Sequence, residues 1–346
     1  PYYSVMKFPE LFPAPREKKR VAVIGGGPAG IRAAMAAVER GHQVELFEKS
    51  ETLGGQVKFS KYCDFKWNLY DYLRWMERQA ETCGAQLHLG VEATPEMIRG
   101  MHFDAVILAM GSVPKTLPIP GADDPKLWTV DAVFGQEQLL GHRVVVVGGA
   151  HSGCETALYL AQAGHQVTLL TRGQEVYTDN THCIYGEVQA YQKEKNLAVV
   201  EFAATTEITP TAVRASVQTN GQRKKLTFQT VGKMLRKPQA KVERIPGFRY
   251  PEYPDTQKLL MEAQIKPAPG FPHPPEEPEI PMEPIYEERV YHCDSVVISG
   301  GRMPQTEAAR KFEGCAPEIY VIGDNVMPGS VQECTLTGFA AAMALG

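Results

Sequence analysis

No two of the seven cysteines, Cys63, Cys83, Cys154, Cys183, Cys293, Cys315 and Cys334, form a C-x-x-C pair or any other metal-ligand spacing. That excludes a redox dithiol and a zinc site, and leaves buried free thiols, because free cysteine is among the residue types most often buried. No apolar run reaches the roughly 18 residues that span a bilayer, and the N-terminus lacks the apolar core of a secretory signal, so a cytoplasmic protein is expected. Positive charge is not in excess either. Lys and Arg number 36 against 40 Asp and Glu, and a net charge of -4 offers no field for nucleic acid or anionic lipid. The chain begins at Pro1 rather than methionine, so a fragment or a processed product is expected.

What is present is a chain of 346 residues, 43% hydrophobic and 22% charged, which reads as a soluble globular protein of two or three domains with a sizeable core. The buried-strand run Val21 to Ile24 passes through a glycine turn into an alanine-rich helical stretch ending near Arg40, and the strand QVELFE follows at Gln43 to Glu48. An amphipathic stretch from Phe65 to Cys83 predicts a long helix, and FDAVILAMGS at Phe103 to Ser112 a buried strand with a tight turn. RVVVVGG then restarts the pattern at Arg143, with a helix from about Ser152 to Ala163 and a strand at Gln166 to Thr171. Two βαβ units in series predict an α/β fold with two Rossmann-like doubly wound domains, each on a parallel sheet.

Beyond Asn196 the pattern changes to short alternating strands such as AVRASVQT at Ala212 to Thr219. The stretch from Pro246 to Pro284 holds 11 of the 26 prolines, which remove backbone donors and fix φ, so it reads as an extended surface excursion. It is open to two readings, a plain loop insertion and a partner-binding arm. Regular structure resumes with YHCDSVVISG at Tyr291 to Gly300, EIYVIGD at Glu318 to Asp324 and a helical run from about Val331.

In the first turn the G-x-G-x-x-G glycines are Gly25, Gly27 and Gly30, with Pro28 and Ala29 between the last two. The first permits the tight turn, the second lets backbone approach a pyrophosphate, and the third lets helix and strand pack closely. Phosphate then sits on a helix N-terminus, where free N–H groups and the dipole favour negative charge. Glu48, eighteen residues beyond Gly30, stands where a ribose-hydroxyl acceptor belongs, with Lys49 beside it. The second turn carries Gly148, Ala150 and Gly153, with Ser152 before the last, so one methyl group intrudes on the phosphate path. Thr171 takes the place of the acid and Arg172 follows. An arginine there can pair with a 2′-phosphate, which favours NADPH over NADH; the other reading of Arg172 is a solvated charge at a strand end.

Together with the first turn, LGGQ at Leu53 to Gln56, AMGS at Ala109 to Ser112 and YVIGD at Tyr320 to Asp324 give a sequence that resembles the flavoproteins with two dinucleotide-binding domains. Within them it is most similar to the C-terminal half of the Old Yellow Enzyme-like reductases, the group of 2,4-dienoyl-CoA reductase, 2-enoate reductase and trimethylamine dehydrogenase. GGGPAGIRAAMAAVERGHQVELFEKSETLGGQ, FKWNLYDYLRWMERQAE and VIGDNVMPGSVQECTLTGF carry that likeness. The resemblance implies FAD in the first domain, with Gly25, Gly27 and Gly30 at its pyrophosphate, Glu48 at its adenosine ribose, and Gly55 and Gln56 beside them. It places Met110 and Gly111 in an A-T-G-like turn, where Met110 departs from the family's threonine, and Gly323 and Asp324 at the ribityl chain, just ahead of a helix N-terminus.

By the same resemblance the FAD domain is discontinuous, residues 19–122 with 303–346, and residues 123–302 form an NAD(P)H domain carrying the excursion 246–284. Residues 1–18 would be a connector from an N-terminal TIM barrel, domain or subunit, that carries FMN and a 4Fe-4S cluster outside this chain. The implied activity is an electron-input module, hydride from NAD(P)H to FAD and single electrons onward, and it requires no side-chain acid or base. Two alternatives stay open: a stand-alone ferredoxin-type or diaphorase-type reductase, and a non-catalytic scaffold that binds ADP or FAD, as in trimethylamine dehydrogenase. A homo-oligomer is compatible with each.

Overall fold

The computed structural model describes residues 15–173, 188, 190–192, 194, 196–221, 244–251 and 283–345. Cys183, most of the expected connector and most of the proline-dense segment lie outside the described residues. Along the chain, β1 (Arg20–Ile24), α1 (Pro28–Glu39) and β2 (Gln43–Glu48) are followed by α2 (Trp67–Thr82), β3 (Gln86–Leu89), α3 (Pro95–Met101) and β4 (Ala105–Leu108). The strand β5 (Ser112–Pro114) leads to β6 (Trp128–Thr129), α4 (Val130–Val133), β7 (Arg143–Val147), α5 (His151–Gln162), β8 (Gln166–Leu170) and β9 (Leu197–Val200). Next come β10 (Ala203–Thr209), β11 (Ala212–Gln218), β12 (Tyr286–His292) and β13 (Ser295–Ile298). The chain returns through β14 (Arg302–Pro304) to α6 (Thr306–Arg310), β15 (Glu318–Val321) and α7 (Val331–Ala344).

Two five-stranded parallel sheets result, in the orders β15-β4-β1-β2-β3 and β6-β13-β7-β8-β9. The repeat seen in the sequence is a repeat of register. Val21 pairs with Val44 and Val144 with Val167, an offset of 23 residues in both units. Parallel strands are covered on both faces and need continuous apolar runs. Accordingly Val21, Ala22 and Val23 are all fully buried.

On one face of the first sheet Val21, Val23, Leu46 and Ile107 pack against Ala33, Ala34 and Ala37 of α1 and Ala341 of α7. The small residues of α1 let the two helices and the sheet approach closely. On the other face Ala22, Phe47, Val106 and Leu108 meet Ile98 of α3 and Phe312. The second sheet is covered differently. Its α5 face holds Val144, Val146 and Leu169, whereas Val145, Val147 and Leu170 pack on Ile208, Val213 and Ala215 of the antiparallel sheet β10-β11-β12.

The start of the proline-dense segment is anchored rather than free on the surface. Ile245 and Phe248 are buried in the α3 face of the first sheet, and Arg249 forms a parallel bridge with Tyr320 through Arg249 N to Ile319 O (2.7 Å) and Val321 N to Arg249 O (3.0 Å). Residues 245–249, which lie in sequence between β11 and β12, thus sit at the outer edge of the first sheet. No helix among the described residues is long and apolar enough to cross a membrane.

His42, 4% exposed, accepts the Lys19 amide on Nδ1 at 3.1 Å, which requires the tautomer protonated on Nε2. Burial, with the Arg40 and Lys19 cations next, lowers its pKa. The unfolded chain therefore binds the proton more readily than the native one, and stability is complete above the ordinary histidine value of about 6.5 and falls as pH drops below it. A thermal melt at pH 5 is expected to lie a few degrees below one at pH 7.5, and His42→Gln is expected to shrink that difference.

Candidate functional site

Both glycine turns lie where the first strand of a parallel sheet enters a helix. Gly25 has φ +110° and Gly148 φ +112°, values that side chains resist. A Cβ on Gly25 would sit 2.3 Å from the Ala109 carbonyl oxygen, and one on Gly148 2.2 Å from that of Ser299. A Cβ on Gly30 or Gly153 would come within 1.9 Å or 1.7 Å of the Gly25 or Gly148 carbonyl oxygen. These four glycines are dictated by the fold. The middle position is not: Gly27 has φ −81° and ψ −179°, Ala150 φ −79° and ψ 178°, and a Cβ on Gly27 would only touch Gly55 Cα at 3.8 Å. The backbone at 27 therefore does not itself require glycine.

In front of the first turn is a cavity of about 320 Å³ lined by Gly25, Gly27, Pro28, Ala29, Glu48, Lys49, Gly55, Gln56, Met110, Gly111 and Asp324, which the sequence singled out, and by Phe59, Ser112, Asp131, Gln305 and Cys334, which it did not. Pro28 opens α1 without an N–H, and the amides of Gly27, Ala29 and Gly30 have no intrahelical partners. Glu48, 9% exposed, ends β2 with its carboxylate between two amides, accepting from Gly26 N (2.7 Å) and Ser50 N (2.8 Å). A second cavity of about 260 Å³ shares Gly25, Glu48, Lys49, Met110 and Gln305 with the first and continues into an apolar recess of Ile24, Phe47, Val91, Ala93 and Phe312. The two form one long groove with the glycine turn and Glu48 near its middle.

At its other end the groove adjoins a crevice of about 250 Å³ between the two units, with Gln56, Phe59, Asp131 and Asp324 lining both. The first unit supplies Cys63, Lys66 and Leu69 to this crevice, and the second unit Phe134, Ser152 and Glu155. Lys66 and Glu155 form an ion pair across it at 2.5 Å, and Phe59 stacks on Phe134 with ring centroids 5.5 Å apart. The first turn of α5, which follows the second glycine turn, therefore faces the groove of the first unit.

Asp324 lies in a short 3-10 turn, Gly323–Asn325, and α7 starts seven residues later behind a Ser330–Glu333 capping box. The aspartate thus stands on its own turn, fixed by Ser112 Oγ to Oδ2 (3.0 Å) and Gly329 N to Oδ1 (3.0 Å). The Met110 amide donates to Asn325 Oδ1 at 3.3 Å and its carbonyl accepts from Gln305 Nε2 at 2.5 Å, so the missing threonine hydroxyl leaves this turn held through its backbone. Burial and the Asp324 carboxylate beside it push the Cys334 thiol up, and burial pushes Cys63 up to about 12. Both are protonated thiols at neutral pH, and the six described cysteines are free.

At the second turn Thr171 is buried and Arg172 exposed. Thr171 occupies the place of Glu48: its Cβ lies 2.4 Å from where a Cβ on Gly149 would be, as Glu48 Cβ lies 3.0 Å from one on Gly26. Of the second-turn candidates Ser152 lines the crevice, while Gly148, Ala150, Gly153, Thr171 and Arg172 do not and lie at the carboxyl end of the second sheet. Ser112, Arg302 and Gln305 had a signal in the sequence, being short polar additions to the strand turns AMGS and SGGRMPQ; Asp131 and Phe59 had none.

A protein-family model described as pyridine nucleotide-disulphide oxidoreductase matches residues 19–234. The chain is 39% identical over 158 residues to cinnamate reductase of Clostridium sporogenes, covering 46% of this chain and 24% of that protein. It is 35% identical over 202 residues to NADH oxidase of Thermoanaerobacter brockii, covering 57% and 31%. Among solved structures, a 2-naphthoyl-CoA reductase in complex with 2-naphthoyl-CoA superposes with TM-score 0.71 at 23% identity, over 96% of this chain and 40% of that one. Thioredoxin reductase of T. acidophilum gives TM-score 0.57 at 20% identity, over 95% and 97%. The structural likenesses show the fold, and the chain spans only 24% and 31% of the two curated relatives.

Proposed function

Because the chain belongs to the pyridine nucleotide-disulphide oxidoreductase family of flavin-dependent oxidoreductases, we propose that it is an electron-input module, drawing hydride from NAD(P)H onto FAD and delivering electrons to an acceptor on a part not contained in this chain. The observation that carries the reading is the continuity of the long groove with the crevice at α5. A dinucleotide is itself long, polar in the middle and flat at both ends, and the groove has that order of features.

The residues fit FAD. The apolar recess of Phe47, Val91 and Phe312 suits adenine, Glu48 has lone pairs left for ribose hydroxyls, the open approach over Gly27 suits pyrophosphate, and Asp324 and Gln56 suit a polyhydroxyl chain. Bound FAD supplies the redox centre, taking electrons as a pair and releasing them singly. The remaining tasks belong to the chain. Phe59 and Phe134 exclude water from the crevice, and the first turn of α5 presents a second nucleotide to the flavin end. Arg172 favours the 2′-phosphate of NADPH.

In this reading residues 19–122 with 303–346 form the FAD unit and 123–302 the NAD(P)H unit. The relatives' greater length leaves room for an N-terminal TIM barrel with FMN and a 4Fe-4S cluster, and the names cinnamate reductase and 2-naphthoyl-CoA reductase suggest a conjugated acyl substrate there. Ala150 and Thr171 favour a second reading, a scaffold whose bound nucleotide is redox-silent.

Anaerobic titration of the FAD-reconstituted chain with NADPH and with NADH decides between them. Bleaching of the flavin absorbance at stoichiometric NADPH, with NADH needing a larger excess, is the expected outcome. Flavin that binds but is bleached by neither nucleotide overturns the electron-input reading, and a chain that binds ADP but no flavin establishes the scaffold.

A further inference from the structure

We propose that Arg302 is a positioning residue, which fastens the second nucleotide-binding unit against the flavin end of the groove; the inference rests on the electron-input reading. Strand β5 carries the chain out of the first unit and β14 brings it back, and the two pair as an antiparallel ribbon with Arg302 opposite Pro114 and Pro304 opposite Ser112. The ribbon by itself is a thin connection. Two short strands whose apolar pair, Val113 and Met303, is left exposed do not fix the orientation of what they join.

The Arg302 side chain supplies what the ribbon lacks. Its Nε donates to Ser112 Oγ at 2.8 Å, its Nη2 to the Ser112 carbonyl at 2.7 Å and its Nη1 to Asp131 Oδ1 at 2.6 Å. Ser112 Oγ hands the bond on to Asp324 Oδ2 at 3.0 Å. Four segments are thereby joined through one guanidinium: α4 of the second unit, both strands of the ribbon, and the 3-10 turn that carries Asp324. Arg302 is 18% and Asp131 26% exposed, so the pair is largely withdrawn from water, where a charge-assisted contact is stronger than on an open surface.

Its location makes it more than a structural tie. Asp131 lines both the groove and the crevice, so the fastening is made where the two meet, whereas Lys66 and Glu155, an ion pair between the two units, line the crevice alone. Hydride transfer depends steeply on the separation of donor and acceptor, and a displacement of about 1 Å can cost on the order of 100-fold in rate. Lysine could satisfy one of the three acceptors but not the fork, because its donors radiate from a single nitrogen. Arg302 is thus expected to act on the rate of reduction, through the placement of α4 and α5, and not on the affinity of the groove for FAD.

The test uses the full chain loaded with FAD and the variants Arg302→Lys, Arg302→Gln, Asp131→Asn and Arg302→Gln with Asp131→Asn. Rapid mixing with saturating NADPH is expected to give flavin reduction about 10- to 100-fold slower in each single variant. The double variant is expected to be no slower than Arg302→Gln, and the Kd for FAD to stay within about 3-fold of wild type throughout. Hydrogen exchange in the ligand-free chain is expected to speed up at residues 128–134 in Arg302→Gln while β1 is unchanged. That readout does not depend on turnover.

Wild-type reduction rates in Arg302→Lys and Arg302→Gln overturn the proposal, as does unchanged exchange at 128–134. A wild-type chain whose flavin neither nucleotide bleaches overturns the electron-input reading and the positioning role with it. In that case the exchange data still report whether the fastening exists, so the two failures are told apart.

Discussion

Gly25→Ala is expected to break the first glycine turn and abolish FAD binding, whereas Gly27→Ala, two residues away, is expected to leave the fold intact and weaken FAD alone. At position 25 the backbone has φ +110° and an added Cβ meets the Ala109 carbonyl oxygen at 2.3 Å. The left-handed conformation costs a non-glycine residue about 1–2 kcal/mol, and the displacement of β4 that relieves the clash adds about 1–3 kcal/mol. A loss near 3 kcal/mol moves the two strands that frame the groove. At position 27 the protein has already performed the control, since Ala150 holds the same φ and ψ in the second turn. Stability in Gly27→Ala is expected to change by no more than about 1 kcal/mol, with a rise as plausible on physical grounds as a fall because alanine restricts the unfolded chain. The methyl would project into the groove, and one methyl in a close-fitting site is worth about 1–3 kcal/mol, a 10- to 100-fold rise in the Kd for FAD. Thermal melts and equilibrium dialysis separate the two outcomes. Wild-type FAD affinity in Gly27→Ala would mean that pyrophosphate does not run over residue 27.

The twin turns were legible in the sequence because their constraints are local. A left-handed φ selects glycine, a doubly covered strand selects an apolar run, and both lie within ten residues of each other at Val21 and again at Val144. Glu48 was legible for the same reason, standing at a fixed distance along one βαβ unit. Asp131 and Phe59 were not, since they come from segments joined only by the folding of the two units onto each other, and no spacing announces that. The start of the proline-dense segment was obscured by its composition. Prolines at 246 and 251 spoke for an exposed loop, but Ile245 and Phe248 between and beside them are apolar enough to find the α3 face, and Arg249 then completes the edge of β15. Asp324 lines the groove, but from its own turn rather than from just ahead of a helix N-terminus, because the capping box that begins α7 at Ser330 lies further along.

Glu48→Ala is expected to produce the largest loss of FAD affinity of any side-chain truncation in the groove, on the order of 100-fold or more, and to lower stability as well. The two effects share one cause. The carboxylate accepts from Gly26 N and Ser50 N with its two oxygens, so it holds the glycine turn from behind while its remaining lone pairs face the groove. Truncation leaves the buried Gly26 amide without its acceptor, at about 1–3 kcal/mol, and removes a charge-assisted bond to a ribose hydroxyl, at about 1.5–3 kcal/mol. Glu48→Gln separates these contributions. The amide keeps the length and one acceptor oxygen, so it can serve Gly26 or Ser50 but turns its NH2 toward the other donor, and it carries no charge. The expected order of FAD affinity is wild type, then Gln, then Ala, with the melting temperatures in the same order. A Glu48→Ala chain that melts early yet binds FAD as tightly as wild type would reduce Glu48 to a brace of the turn, and the ribose would then have to be held by Lys49 or by backbone alone.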